Sequence, residues 1–282
     1  MLSAADRACS GSGIRAGCVP AAELEPRDVV LRSTDGLALR AWWVPASGSS
    51  RAAVLAHGRG DSKASAYVVA TAAVYARAGF NVLMIDLRCW KWPERRFSTA
   101  GYQEARDVLG ALRWLSERGF EANRVVLHGW STGAAAVVRA APRTGVAAVV
   151  EEGGHADLPL LLGNLIPGKG GPSTFLSCVA LAMARVLGVE FDPFELRPRR
   201  DAARLHEEGV PLFIIHSRDD RVVPVEHARL LAGAQPEAVL WEVEGCAHTA
   251  AFTHPEYQTR LSHFLCEFAA GRRDYDLPVT SR

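Results

Sequence analysis

The sequence predicts an α/β protein built on an open, mostly parallel β-sheet with crossover helices. Two observations carry this prediction. Short runs of Val, Ile and Leu alternate along the chain with longer helical stretches, which is the order that βαβ units produce. The runs are apolar at nearly every position, which is typical of strands covered on both faces. Ligands of such sheets bind beyond the carboxyl ends of the strands.

The first predicted element is an antiparallel hairpin over residues 28–45. Its strand-like runs, DVVLRS and LALRAWWVP, are joined at Thr34-Asp35-Gly36, and an Asp-Gly pair is a strong hairpin signal. The runs AAVLAHG and NVLMIDL predict strands followed by helices at about 63–77 and 102–117. RVVLHGW, VAAVVEE, VPLFIIHS and AVLWEVEG complete a predicted sheet of eight strands.

Residues 153–205 depart from this alternation. The segment is too long for a loop between neighbouring strands and is rich in Leu, Ala and Val. It predicts a helical cap inserted between two parts of the core, at 25–152 and 206–271. The apolar side of the cap is expected either to pack on itself and the sheet or to line a pocket. Residues 1–24 and 272–282 are interpreted as terminal tails.

Composition restricts the classes of partner. The chain has 282 residues, enough for one enzyme-sized domain with an insertion. Its 32 basic and 31 acidic residues leave a net charge of +1, so a nucleic-acid partner is not expected. No signal peptide or membrane span is expected from the small, polar N-terminal stretch. The six cysteines have no C-x-x-C spacing, which favours reduced thiols and a cytoplasmic protein.

Residues 124–133, RVVLHGWSTG, contain the most informative motif. Ser131 stands between Gly129 and Gly133, after a strand-like run and before the helix-forming AAAVVRAA. In this strand-to-helix context G-x-S-x-G predicts a sharp, strained turn that exposes the serine hydroxyl at the top of the sheet. Side chains in place of the two glycines are expected to collide with neighbouring elements.

A serine nucleophile needs a base and a group that orients the base. Asp219 and Asp220 follow the strand-like FIIHS, and His248 follows the next one. Spacing alone does not separate the two aspartates. His254 and His263 are further candidates for the base, although they fall in the predicted closing helix. The order Ser, Asp, His is the one used on α/β-hydrolase folds.

These motifs resemble those of α/β-hydrolase fold serine hydrolases, over about residues 25–270. HSRDDRVVP resembles the family's H-G-x-x-D-x-x-V-P segment, which implies that Asp220 is the triad acid and Asp219 a neighbour. The place of His248 after Gly245 implies that it is the triad base. The family's oxyanion hole implies backbone N–H donors from Thr132 and, in the loop HGRGDS, from Arg59.

The loop DLRCWKWP after the fourth predicted strand departs from the pattern of many relatives. Its Trp90 and Trp92, together with Trp130, are candidate walls of a substrate pocket, or they could pack against the cap. The departure leaves the substrate class open.

The expected function is hydrolysis of a carboxylic ester of a small-molecule substrate through an acyl-enzyme on Ser131. An acyltransferase or thioesterase acting on a biosynthetic intermediate uses the same chemistry, and a non-catalytic binding scaffold of this fold is the alternative from another class. Neither a cofactor nor a metal is expected, because no H-E-x-x-H motif or Cys/His cluster occurs. The adjacent Glu151 and Glu152 are expected to point in opposite directions. A homo-oligomer is left open.

Overall fold

The computed structural model describes residues 24–88, 98–165 and 191–269. Within these ranges the chain forms one eight-stranded sheet. The strands are β1 (Arg27–Arg32), β2 (Ala38–Val44), β3 (Ala52–Ala56), β4 (Asn81–Ile85), β5 (Val125–Trp130), β6 (Ala148–Glu152), β7 (Leu212–Ser217) and β8 (Val239–Val243). Their order in the sheet is β1-β2-β4-β3-β5-β6-β7-β8. The first two strands pair antiparallel, β2 pairs antiparallel with β4, and the remaining neighbours are parallel.

Helices cover both faces of the sheet. The described helices are α1 (Ala66–Arg77), α2 (Glu104–Ser116), α3 (Thr132–Ala140), α4 (Leu158–Leu165), α5 (Pro198–Glu207), α6 (Glu226–Ala234) and α7 (Tyr257–Ala269). On one face α2, α3, α5 and α6 contribute to a core with the strands, and α1 and α7 do so on the other face.

The predicted sheet is confirmed, and its strands are buried as the sequence indicates. All five residues of β3 and of β4, at the centre of the sheet, are buried. The hairpin turns at Gly36, whose φ of +86° favours glycine. Continuous apolar runs therefore do mark strands that pack against helices on both faces.

The first helix begins three residues later than predicted. Ser65 precedes α1, and its side chain makes no capping bond to the helix. Asp61, earlier in the chain, accepts a hydrogen bond of 2.7 Å from the hydroxyl of Tyr67. Residues 57–65 therefore form a loop at the carboxyl end of β3.

The segment between β6 and β7 contains two described helices with different surroundings. In α5, Ala202 and Leu205 belong to the core on the sheet face, so this helix is the ordinary crossover into β7. The boundary of the predicted cap at residue 205 lies too far along the chain. In α4, Leu158 and Leu161 instead join a separate cluster with Phe191, Leu196 and Val223.

In the described ranges, none of the helices is long and apolar enough to cross a membrane. Cys246 is a free, buried thiol, whereas Cys266 is disulfide-bonded. The expectation of uniformly reduced cysteines is therefore wrong at Cys266.

Candidate active site

Ser131 occupies a strained turn between β5 and α3. Its φ is +52° and its ψ is −115°, outside the regions that residues with a side chain normally adopt. Two hydrogen bonds hold the turn: the N–H of Ser131 donates to the carbonyl of Glu152 at 2.9 Å, and its carbonyl accepts from Ala135 at 3.1 Å. The serine is therefore fixed at the carboxyl end of β5, directly before a helix.

The two flanking glycines are required by close backbone approach. A Cβ on Gly129 would lie 2.2 Å from the carbonyl oxygen of Gly133. A Cβ on Gly133 would lie 2.0 Å from the carbonyl oxygen of Ala56 and 2.6 Å from that of His57. Real Cβ atoms do not approach backbone so closely, so the G-x-S-x-G spacing is a packing requirement of this turn.

Asp220 and His248 meet at the carboxyl ends of β7 and β8. His248 Nδ1 lies 2.6 Å from Asp220 Oδ2. Asp220 Oδ1 accepts hydrogen bonds from the backbone N–H groups of Val222 and Val223 at 2.8 and 2.9 Å. Burial would raise the pKa of Asp220, but its hydrogen bonds and the charge of His248 outweigh burial and hold that pKa below its usual value.

The neighbouring candidates have other contacts. Asp219 is exposed, and its Oδ2 accepts a hydrogen bond of 2.8 Å from the N–H of Gly245. His254 packs edge-on against Trp241 at 5.4 Å, and His263 lies in α7. Of the two aspartates that the sequence left open, it is Asp220 that contacts His248.

The loop after β3 runs alongside Ser131. A Cβ on Gly58 would lie 3.4 Å from Ser131 Cβ. Within this loop, His57 is buried, its Nδ1 lies 2.6 Å from the carbonyl oxygen of Gly58, and its Nε2 accepts the N–H of Leu87 at 3.0 Å. Burial lowers the pKa of His57, so the neutral ring with its proton on Nδ1 satisfies both contacts.

Three further contacts anchor this loop. Tyr67 accepts the N–H of Gly58 at 3.0 Å through its hydroxyl. Lys63 Nζ lies 2.5 Å from Asp86 Oδ2, and the N–H of Lys63 donates to Asp86 Oδ1 at 2.8 Å. Both residues of this ion pair are buried. The loop that carries Arg59 is therefore held on both sides.

A cavity of about 260 Å³ brings the predicted catalytic residues together. Ser131 and His248 line it, as do Arg59 and Thr132, whose N–H groups the sequence assigned to an oxyanion hole. The remaining wall is mixed, and its largest apolar part comes from α4 and the β7 loop. Its apolar residues are Ala100, Leu158, Leu161, Leu162, Val222 and Val223, and its polar residues are Asp61, Ser98, His155 and Thr249.

Of the three tryptophans that the sequence analysis assigned to the pocket, the structure describes only Trp130. Trp130 is fully buried, stacks on His128 at 4.1 Å and packs on Tyr67 at 5.1 Å, on the core side of the turn. It is not among the residues that line the cavity, so its assignment to the pocket wall is corrected. Trp90 and Trp92 lie outside the described residues.

The acidic pair at the end of β6 points to opposite faces, as expected. Glu152 Oε2 accepts a hydrogen bond of 3.1 Å from Tyr257 of α7. Glu151 lies on the α3 side and accepts the N–H of Gly154. Burial raises the pKa of Glu151 to about 8. Neither carboxyl lines the cavity.

His155 is a cavity residue that the sequence analysis missed. It lines the same cavity as Ser131 and is only 3% exposed. A lone histidine after a strand carries no distinctive spacing, so no sequence signal marked it. In the part of the chain that the structure describes, no cluster of His, Cys, Asp or Glu is arranged to hold a metal ion.

The eight-stranded sheet with its antiparallel start and covering helices is the fold of an α/β-hydrolase. The model of the alpha/beta hydrolase family matches residues 53–258, most of the chain. The chain therefore belongs to this family, and the resemblance noted from its motifs is confirmed.

Individual relatives are distant. The uncharacterized protein YfhR of Escherichia coli O157:H7 is 24% identical over 249 residues, which are 84% of this chain and 79% of YfhR. The Pyrococcus furiosus esterase Pf2001 superimposes with a TM-score of 0.67 at 20% identity, covering 92% of this chain and 97% of the esterase.

Two other solved structures show the same fold. The alpha/beta hydrolase GrgF from Penicillium sp. sh18 gives a TM-score of 0.67 at 18% identity, covering 89% of this chain and 99% of GrgF. A puromycin-hydrolyzing peptidase of Mycobacterium tuberculosis gives 0.66 at 18% identity, and the match covers 89% of this chain but only 40% of the peptidase.

Proposed function

We propose that the protein is a serine hydrolase that cleaves carboxylic esters through an acyl-enzyme on Ser131. The observation that carries the proposal is the 2.6 Å contact between His248 Nδ1 and Asp220 Oδ2 beside a cavity that Ser131 also lines. The strained φ of +52° at Ser131 supports it, because such strain is typical of functional turns.

In this mechanism Ser131 attacks the ester carbonyl while His248 takes its proton. Asp220 accepts a hydrogen bond from the Nδ1–H of the imidazole, so Nε2 is left free to act as the base, and the carboxylate stabilises the imidazolium that forms. His248 then gives the proton to the leaving alcohol. Water, activated by the same ring, attacks the acyl-enzyme and releases the acid.

The oxyanion that forms on the carbonyl needs preorganised donors. The N–H groups of Thr132 and Arg59 are the candidates, because both residues line the cavity beside Ser131. The contacts of His57, Tyr67 and Lys63 hold the Arg59 loop before substrate arrives. Donors fixed in advance need little reorganisation in the transition state, which is why they accelerate acyl transfer.

A catalytic role is favoured over a pure scaffold role because all three positions of the triad hold residues of the required types. The apolar wall of the cavity supports an acyl group with hydrocarbon character. A cavity of about 260 Å³ suits a small acyl group rather than a folded polypeptide.

A panel of p-nitrophenyl esters of rising acyl length, with one thioester and one amino-acid anilide, tests this proposal. We expect ester hydrolysis that falls by orders of magnitude in both Ser131→Ala and His248→Ala, with little further loss in the double variant, because triad members act as a unit. Full activity in His248→Ala would contradict the proposed base. Faster turnover of the thioester or anilide than of every ester would contradict the proposed substrate class.

A further inference from the structure

The wall of the cavity beside Ser131 combines apolar and polar side chains, and His155 is its most deeply buried polar residue, at 3% exposure. Leu158, Leu161 and Leu162 of α4 and Val223 of the β7 loop belong to its apolar part. His155 lines the same cavity and precedes these leucines in the connection between β6 and α4. The cavity that receives the acyl chain therefore also contains an imidazole ring.

One ring nitrogen of His155 makes no hydrogen bond within the described protein. Its Nε2 is buried and has no hydrogen-bond partner among the described residues. The ring of His227 interacts with it electrostatically but does not supply that partner. Instead, His227 Nδ1 accepts the N–H of Ala156 at 3.2 Å, and its own Nε2 is likewise unpartnered among those residues.

Buried polar groups are nearly always hydrogen-bonded, so an unpartnered ring nitrogen on a residue of the cavity wall calls for an explanation. Burial lowers the pKa of His155 to about 3, and the charge of His227 acts in the same direction. The ring is therefore neutral at ordinary pH. A neutral imidazole offers one N–H donor and one acceptor nitrogen, which suits a hydroxyl or a carbonyl oxygen better than an ion.

We propose that His155 is a specificity-determining residue that hydrogen-bonds a hydroxyl or carbonyl oxygen carried by the acyl chain of the substrate. The substrate class is then an ester of a hydroxy or oxo acid whose chain is otherwise hydrocarbon. This inference rests on the proposed function. The leucines bind the hydrocarbon part, and His155 distinguishes the oxygenated acid from the plain one.

Matched esters test the proposal. Ethyl 2- and 3-hydroxybutyrate are compared with ethyl butyrate by titrating the acid released. We expect the wild-type protein to prefer one hydroxylated ester by kcat/KM, and His155→Phe to lower that preference about tenfold, as loss of one hydrogen bond does. His155→Gln, which keeps a donor and an acceptor, should retain part of the preference. His254→Phe, outside the cavity, should retain all of it.

Several outcomes would overturn the proposal. One is a wild-type protein without preference between hydroxylated and plain esters, and another is an equal loss on both in His155→Phe. If His155→Phe does not fold, the preference of the wild-type protein and its size in His155→Gln still test the proposal. 2-Hydroxyethyl butyrate and propyl butyrate share an acyl group and differ only in the alcohol. A preference seen only between these two esters would place the polar contact on the alcohol and contradict its assignment to the acyl chain. Failure to hydrolyse any ester would instead overturn the proposed function.

Discussion

His248 Nδ1 lies 2.6 Å from Asp220 Oδ2, and the other oxygen of Asp220 accepts two backbone N–H groups. The carboxylate is therefore held through both oxygens. A carboxylate fixed in this way selects one tautomer and one orientation of the imidazole, and this is what a serine nucleophile requires of its base.

Asp220→Asn should lower kcat by a factor on the order of 10⁴, as the same change does in a well-studied triad, while the fold is retained. The amide presents its N–H₂ group or its carbonyl to Nδ1 and no longer enforces the correct tautomer. Steady-state hydrolysis of an activated ester measures the loss, and circular dichroism checks the fold.

Asp219→Asn is the matched control for that change. Asp219 is exposed and accepts only the N–H of Gly245 through Oδ2, and an asparagine oxygen can accept the same bond. Activity should fall by less than about tenfold, in line with the cost of one weakened hydrogen bond. If Asp219→Asn were the more damaging of the two changes, the assignment of the acid would be wrong.

Gly133→Ala should destabilise the protein strongly, because the new Cβ would lie 2.0 Å from the carbonyl oxygen of Ala56. A thermal melt and the soluble yield measure the effect. Gly233→Ala, in helix α6 where a Cβ meets nothing within 4 Å, should leave the melting temperature unchanged or raise it slightly. Similar melting temperatures for the two variants would show that the turn can relax.

Leu161→Ala should weaken hydrolysis of an octanoate ester much more than that of an acetate ester. Leu161 is 9% exposed and lines the cavity, so the long chain loses apolar contact worth about 1–2 kcal/mol, seen as a higher KM. Leu160 is on the same helix, is 44% exposed and is absent from the cavity wall, so Leu160→Ala should affect neither ester. Equal losses on both esters in Leu161→Ala would indicate a packing role alone.

Glu151→Gln should make stability less sensitive to alkaline pH. The folded-state pKa of Glu151, about 8, exceeds the ordinary value of 4.5, so the native state keeps a proton that the unfolded chain releases. The free energy of unfolding therefore falls as pH rises from about 4.5 through about 8. Glutamine mimics the protonated acid, so the Glu151→Gln protein should not lose this stability as pH rises. Melting temperatures at pH 5 and pH 9 measure the difference.

The exposed Glu207 gives a control for that measurement. Glu207→Gln should follow the wild-type pH profile, whereas Glu151→Gln should be flatter. Identical profiles for the wild-type protein and Glu151→Gln would mean that Glu151 is not protonated in the fold.

The parts of the site that depend on backbone geometry were predictable from sequence. Gly129 and Gly133 are spaced as the turn around Ser131 requires, and the strand runs before Asp220 and His248 place them at the same edge of the sheet. The sheet itself followed from continuous apolar runs, because burial on both faces leaves little freedom in residue type.

Features set by tertiary packing were not predictable. His155 acquires its environment partly from His227 of α6, and Glu151 acquires its own from α3 and the β6 loop, which no local pattern encodes. Trp130 was assigned to the pocket because it neighbours Ser131, yet successive strand residues point to opposite faces and its ring enters the core. Helix α5 was assigned to the cap because length alone does not separate an insertion from the crossover helix that follows it.

Site-mapped labelling with a fluorophosphonate tests the central claim most directly. The probe reacts with an activated serine, and mass spectrometry of a digest locates the adduct. The account predicts one adduct on Ser131 in the wild-type protein, none in Ser131→Ala and much slower labelling in His248→Ala. A folded wild-type protein that stays unlabelled, or equal labelling of Ser131→Ala, would contradict it.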